Sequence, residues 1–460
     1  MSSPSPARAL PAGGPREAIS APARGAASDL PAWPVVVLFA GLPLWWVTGV
    51  LDLVWVPAAL VMALLLGRAD AVRAPRGLGV WLLFLAWCAA SAIMLSTAAD
   101  LLGFAYRLAL YVAGTVLLVY VYNARDRLTD RVVCGCLSLW WVYTVLGGFL
   151  GLLLPSAELR TPLARVLPDS LLGNELVSHM VVRRLSQFNP DSFLQVAPRP
   201  SAPFLYTNNW GNVYSLLLPF VLVHLWQVRG QRRFWALLVL LPASAVPALL
   251  TLNRGMFLGV ALAAAYVGLR ALLARRLAVV AGLVALGVVA AALFYALPVG
   301  ERQGTRLSSS ADATSTEDRA ALYVQALRLV PDSPLFGHGT PVATLGESGV
   351  PVGTQGQVWM VLVSHGPIAT LCFLGWFALA LLGTLRRRDP VGLACSTALL
   401  VGAVELFYYG ALPYGLPLLM VAAALGLRGA GPAPPDRRPP PGPHRQFSYR
   451  HVSSPEPERA

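Results

Sequence analysis

Residues 299–356 read VGERQGTRLSSSADATSTEDRAALYVQALRLVPDSPLFGHGTPVATLGESGVPVGTQG, a polar run in a chain that is otherwise almost continuously apolar. The 460 residues are 56% hydrophobic and 12% charged, with a mean hydropathy of +0.61. Such a composition is too apolar for a soluble domain and the chain too long for a single anchor, which leaves an all-α polytopic membrane protein as the fold class. The run at 299–356 is then the longest interruption between membrane spans. A shorter one of the same kind covers 155–205 and ends at Tyr206.

A span needs roughly 20 apolar residues, and stretches of that kind lie near 34–50, 53–67, 78–98, 103–122, 132–154, 206–228, 234–251, 255–269, 277–298, 357–385, 391–410 and 412–428. The expectation is about 12 transmembrane helices within 34–428. Residues 1–33 are rich in Ala, Pro and Ser without helical period and read as a disordered leader; residues 429–460, with their PAPPDRRPPPGP run, read as a disordered tail. The first apolar stretch begins too late for a cleaved signal peptide, so it reads as a retained anchor.

The chain contains no lysine, so its 35 basic residues are all arginine and its formal net charge is +13. These arginines do not form a nucleic-acid patch. Three fall in each of five alternate loops, Arg68/Arg73/Arg76, Arg125/Arg127/Arg131, Arg229/Arg232/Arg233, Arg270/Arg275/Arg276 and Arg386/Arg387/Arg388. The positive-inside rule puts those loops and both termini in the cytoplasm and both long polar loops outside the cytoplasmic membrane. The five cysteines lie in or beside apolar runs without a C-x-x-C pair, which supports neither a disulfide framework nor a zinc site.

Arg254 is the single arginine of the short outer loops, and Leu252-Asn253-Arg254-Gly255 opens a helix. A guanidinium beside a helix N-terminus suits a phosphate or diphosphate; the competing reading is an arginine snorkelling to head groups. Arg107 and Glu405 lie inside apolar helices a turn or two below the outer surface, where ionisable groups pair or face a water-filled cavity, and the two are candidate partners. Arg199 closes the first long loop ahead of Thr207-Asn208-Asn209-Trp210, where amide and indole suit a sugar and where Trp also serves as an interfacial anchor. In 299–356, Leu322, Ala326, Leu329 and Val330 recur at helical spacing with Arg319, Tyr323 and Arg328 on the polar edge, which predicts an amphipathic helix over the outer pocket. His338, between Gly337 and Gly339, is that loop's one histidine and its general-base candidate. His365-Gly366-Pro367 predicts a kink, with His365 lining the opened space or capping freed carbonyls.

Taken in order, Arg199, Thr207-Asn208-Asn209-Trp210, Asn253-Arg254-Gly255, Arg319, Tyr323, Ala326-Leu327, Pro334-Leu335-Phe336-Gly337 and Gly366 resemble the O-antigen ligase and Wzy polymerase superfamily over roughly residues 100–410. The resemblance implies a cofactor-free, metal-independent transferase at the outer face. Its donor would be a polyprenyl-diphosphate (undecaprenyl) glycan and its acceptor a glycan or lipid hydroxyl, among membrane lipids and without nucleic acid. It puts the diphosphate-gripping roles on Arg199 and Arg254, with Asn209, Arg319 and Gln355 as substrate contacts. The family also has an outer histidine near the start of the helix after the large loop; here Gln355 stands there, and glutamine binds a hydroxyl but takes no proton. His338 substitutes, or no strong base is needed, or activity is lost. A transporter or glycan-lipid flippase is the alternative from another class. For it, Gly67-Arg68-Ala69-Asp70 and Arg73 faintly resemble the major facilitator loop signature, but no internal repeat between the halves accompanies them.

Overall fold

The computed structural model describes residues 30–173, 175–187, 198–296, 310–343 and 351–429. Most of the expected leader, nearly all of the expected tail and parts of both long loops lie outside the described residues.

The chain is mostly helical. Helices lie over the apolar stretches, yet among the described residues only five are long and apolar enough to cross a membrane, within Asp100–Asn123, Asp130–Leu153, Arg232–Leu250, Arg254–Leu273 and Gln357–Thr384. Shorter apolar helices include Trp55–Leu66, Leu78–Met94, Pro390–Glu405 and Gly415–Leu427. The reason is local. Proline and glycine cut apolar runs into pieces that hydropathy alone reads as unbroken. The first run divides at Gly41 into Trp33–Ala40 and Leu42–Thr48. Where helices start cleanly, a side chain caps them: Thr97, Thr129, Asn253 and Asp389 each accept the backbone N–H three residues on.

The all-helical expectation needs one amendment. The first long loop contains two small antiparallel sheets, Glu158–Arg160 with Val182–Arg184 and Ser186–Gln187 with Arg199–Pro200. Short extended segments like these carry too little alternation to stand out in a sequence.

Polar contacts sort the loops onto two ends of the bundle. At one end, the Asn123 amide holds both N–H and C=O of Arg73 at 2.8 Å, while Arg387 and Arg428 both reach Asp130. At the other, Arg183 of the first long loop makes a 2.7 Å ion pair with Asp52, and both side chains are almost completely buried. The Tyr414 hydroxyl donates to the same carboxylate, and Tyr106 donates to the Asp52 carbonyl at 2.9 Å. Burial works against the Arg183 charge, but Asp52 and Tyr414 outweigh it, and its pKa is raised.

Removing one partner of such a pair strands the other charge. Arg183→Ala is expected to lower stability by about 3–5 kcal/mol, read as thermal unfolding of the purified protein in detergent. An unchanged melting temperature would show that Arg183 does not fasten this loop.

Candidate functional site

Arg254 is exposed and begins the Arg254–Leu273 helix. The turn ahead of it is strained: Leu252 has φ of +51°, a left-handed conformation that side-chain-bearing residues avoid at a cost of order 1–3 kcal/mol. In that turn the buried Thr251 carbonyl accepts Arg199 Nε at 2.7 Å. Arg199 stands on the second small sheet, directly opposite Gln187, whose side-chain oxygen accepts the Thr207 N–H at 3.0 Å. An arginine 55 positions earlier in the chain (254 − 199) thereby bonds the turn that leads into Arg254.

Asn253 holds the turn to its own helix and to two other segments. Its Oδ1 accepts the Tyr409 hydroxyl and the Met256 N–H, and its Nδ2 donates to the Thr207 carbonyl at 3.0 Å. Gly211 makes this approach possible, because a Cβ there would collide with the Asn253 amide. Tyr408 donates to the Gly255 carbonyl at 3.2 Å. The turn carrying Tyr408 and Tyr409 also meets the next helix: Gln357 N–H donates to the Tyr409 carbonyl at 2.9 Å, and Trp359 Nε1 to that of Phe407 at 2.9 Å. Gln357 itself is fully buried and bonds Tyr111 and the Ala411 N–H.

The amphipathic helix of the second long loop is present as Ser310–Arg328. Its Leu322 and Ala326 make a small separate core with Val352 and Val363. Tyr323 stacks on Trp359 with centroids 4.6 Å apart, and its hydroxyl donates to the Gln355 carbonyl at 3.1 Å. Burial raises the Tyr323 pKa against the opposing pull of Arg319, which keeps the hydroxyl a donor. Arg319 is one helical turn from Tyr323, on the same face, and Gln355 is half-buried beneath it.

The histidines belong to a different cluster. Gly366 (φ +82°) interrupts the helix at Gln357–Thr384, so the predicted kink is present. Pro367 has no N–H for the Val363 carbonyl, and the His338 N–H takes its place at 2.8 Å, with Gly339 N–H on Ser364 at 2.8 Å. The flanking glycines therefore serve protein backbone rather than ligand: a Cβ on Gly337 would strike Val363 and His365 main-chain atoms. The His338 ring is turned to the Leu329 carbonyl at 3.3 Å. His365 is buried and shares a 2.7 Å hydrogen bond with Ser91, so it neither lines an open space nor caps the freed carbonyls.

Arg107 and Glu405 are not partners. Glu405 accepts from Asn212 at 2.7 Å and Ser215 at 2.6 Å, on the Thr207–Gln227 helix. Arg107 lies within electrostatic reach of Asp100 and Tyr111 of its own helix, and its Nε and Nη2 make no hydrogen bond. Similar positions within apolar helices do not make two helices face each other. Ala98–Asn123 packs on Trp55–Leu66 and Gly415–Leu427, whereas Pro390–Glu405 packs on Thr207–Gln227 and Arg254–Leu273. Trp210 is likewise neither sugar platform nor interfacial anchor; it is fully buried, donates to the Thr144 carbonyl and stacks on Tyr214. Asn209, one residue earlier, is half-buried in the first turn. Sequence reading passed over Tyr408, Tyr409 and Gln357, whose tyrosine pair and buried amide carry no local signature.

Among the described residues, no group of three His, Cys, Asp or Glu side chains stands where it could hold a metal ion. The sequence model of a family described as O-antigen ligase, Wzy_C, matches residues 240–381 and supports the superfamily resemblance drawn from the motifs. That segment contains Asn253, Arg254, Arg319, His338, Gln355 and His365 but not Arg199, which joins it through the Thr251 hydrogen bond. No curated protein sequence matches the chain significantly.

Asn253→Ala would remove the helix cap and leave the Tyr409 hydroxyl buried without its acceptor. A loss of about 2–4 kcal/mol is expected, measurable as thermal unfolding in detergent. Wild-type stability in that variant would mean the turn is held by something other than its amide.

Proposed function

We propose that the protein transfers a glycan from a polyprenyl diphosphate carrier to an acceptor hydroxyl at the membrane face bearing its two long loops. The observation that carries this reading is the Arg199 hydrogen bond to Thr251, which sets a second guanidinium beside the Arg254 helix start. Two guanidiniums and the positive end of a helix dipole match the charge of a diphosphate. The family match over 240–381 agrees in kind, since it points to ligase chemistry on lipid-linked glycans.

In the proposed reaction the acceptor oxygen attacks the anomeric carbon of the donor glycan and the bond from that carbon to the diphosphate oxygen breaks. The electron pair stays with the diphosphate, and the acceptor proton leaves to water at the open face. Negative charge on the departing oxygen grows in the transition state, so Arg199 and Arg254 contribute most where the chemistry is hardest. No metal is invoked, because the arginines supply the neutralising charge. Gln355 and Asn209 orient sugar hydroxyls. The helix at Ser310–Arg328 acts as a lid seated by Tyr323, with Arg319 on its site-facing side. His338 is given no part in this scheme, its Nε2 lying against the Leu329 carbonyl.

The shorter helices complete a bundle of about twelve spans. With the arginine-rich loops cytoplasmic by the positive-inside rule, the long-loop face is extracytoplasmic and the membrane is the cytoplasmic one.

Replacing one transition-state donor costs about 10²–10³ in rate. Arg254→Ala is therefore expected to lose glycan transfer by at least that factor, with membrane insertion and thermal stability unchanged, since Arg254 is exposed. Transfer would be followed as conversion of a lipid-linked glycan by protein in proteoliposomes; an active variant would sink the assignment.

A further inference from the structure

The first long loop encloses a cavity of about 280 Å³ that contains none of the residues placed in the diphosphate site. Ligand pockets run from about 300 to 1,000 Å³, so this half-open one has room for about one sugar unit within its walls. His179, Arg184, Ser186, Gln187 and Tyr206 contribute its polar and aromatic wall. The wall is held in place: Ser186 donates to the Pro155 carbonyl at 2.5 Å, Gln187 accepts the Thr207 N–H, and Arg183 beneath is locked to Asp52.

Charge decides what such a wall can bind. Two guanidiniums line the cavity, but Arg183 is paired with Asp52 at 2.7 Å and Arg184 with Glu158 at 2.8 Å. The two guanidiniums that line the cavity are thus each already engaged by a carboxylate, which leaves neither as a dedicated phosphate partner. What remains is a mixture of hydroxyl, amide, imidazole and backbone groups next to Tyr206, whose side chain is 41% exposed. Sugars need that mixture, since each hydroxyl both donates and accepts while the C–H face of the ring packs on an aromatic. Position adds the second argument. Gln187 in the cavity wall is paired across the strand with Arg199 of the diphosphate site, so the two sites share one strand pair.

We propose that this cavity is the acceptor subsite and holds the sugar unit whose hydroxyl is glycosylated. The identity of that sugar as the acceptor rests on the transferase reading above; its binding in the cavity does not. The test uses full-length protein in nanodiscs and three probes, the methyl glycosides of a hexose, a 6-deoxyhexose and an N-acetylhexosamine, with binding read by saturation-transfer NMR. At least one glycoside is expected to bind, about three- to tenfold more weakly in Tyr206→Ala and as in wild type in Tyr206→Phe. Binding should survive in Arg254→Ala and in the presence of saturating undecaprenyl diphosphate. Absence of binding by every glycoside, or equal binding by Tyr206→Ala, would overturn the sugar subsite. Displacement by undecaprenyl diphosphate would assign the sugar to the donor and overturn the separate acceptor site. A transfer-active Arg254→Ala protein would remove the diphosphate assignment while leaving glycoside binding intact.

Discussion

A buried amide that bonds its own helix start and two other segments is the constraint on which the candidate site depends. Asn253 can accept twice through its oxygen and donate twice through its nitrogen, and inside an apolar bundle each unmet bond is costly. Its bonds join its own helix start, the Thr207 carbonyl and Tyr409. The direction of these bonds fixes where the Thr207–Gln227 and Arg254–Leu273 helices cross. Gly211 is the matching concession, since a larger residue would push the two apart.

From that amide a line of polar contacts runs across the long-loop end. Tyr409 passes the constraint to Gln357, and Gln357 passes it to Tyr111 and Ala411. One residue of the same turn receives Trp359, on which Tyr323 of the loop helix stacks. The loop helix and Arg254 are thus coupled through the segment after Glu405, although the helices Arg254–Leu273 and Leu277–Ala296 and the start of the second long loop separate them in the chain. The Pro367 kink solves a neighbouring problem. It frees two carbonyls, and the loop at His338 and Gly339 satisfies them with main-chain N–H groups. The histidine is there for its backbone, and its side chain follows.

Some of the site was legible because its signals are local. Arg254 stood out against a charge bias, Asn253 before it is an ordinary helix cap, and Gly366-Pro367 announces a kink from covalent geometry alone. Arg319, Tyr323 and the apolar stripe of the loop helix were legible from helical period. That Arg107 and Glu405 lie within apolar helices was legible, but the facing of those helices was not, because that depends on which stripes pack. Trp210 shows the same limit from the other side: an indole at a span boundary suggests an anchor, and packing buried it.

The sequence by itself determined the membrane class, the mostly helical character, the alternation of arginine-rich loops and the residues that cap or kink single helices. Each of these follows from composition, period or the chemistry of neighbours in the chain. Tertiary structure alone decided that Arg199 meets the Arg254 turn, that Glu405 bonds Asn212 and Ser215 instead of Arg107, and that Arg183 is buried against Asp52 beneath a cavity in the first long loop. The physical reason is that a hydrogen bond or ion pair between distant segments costs nothing in local propensity and leaves no periodic trace. Its partners become visible only once packing has chosen which helices touch.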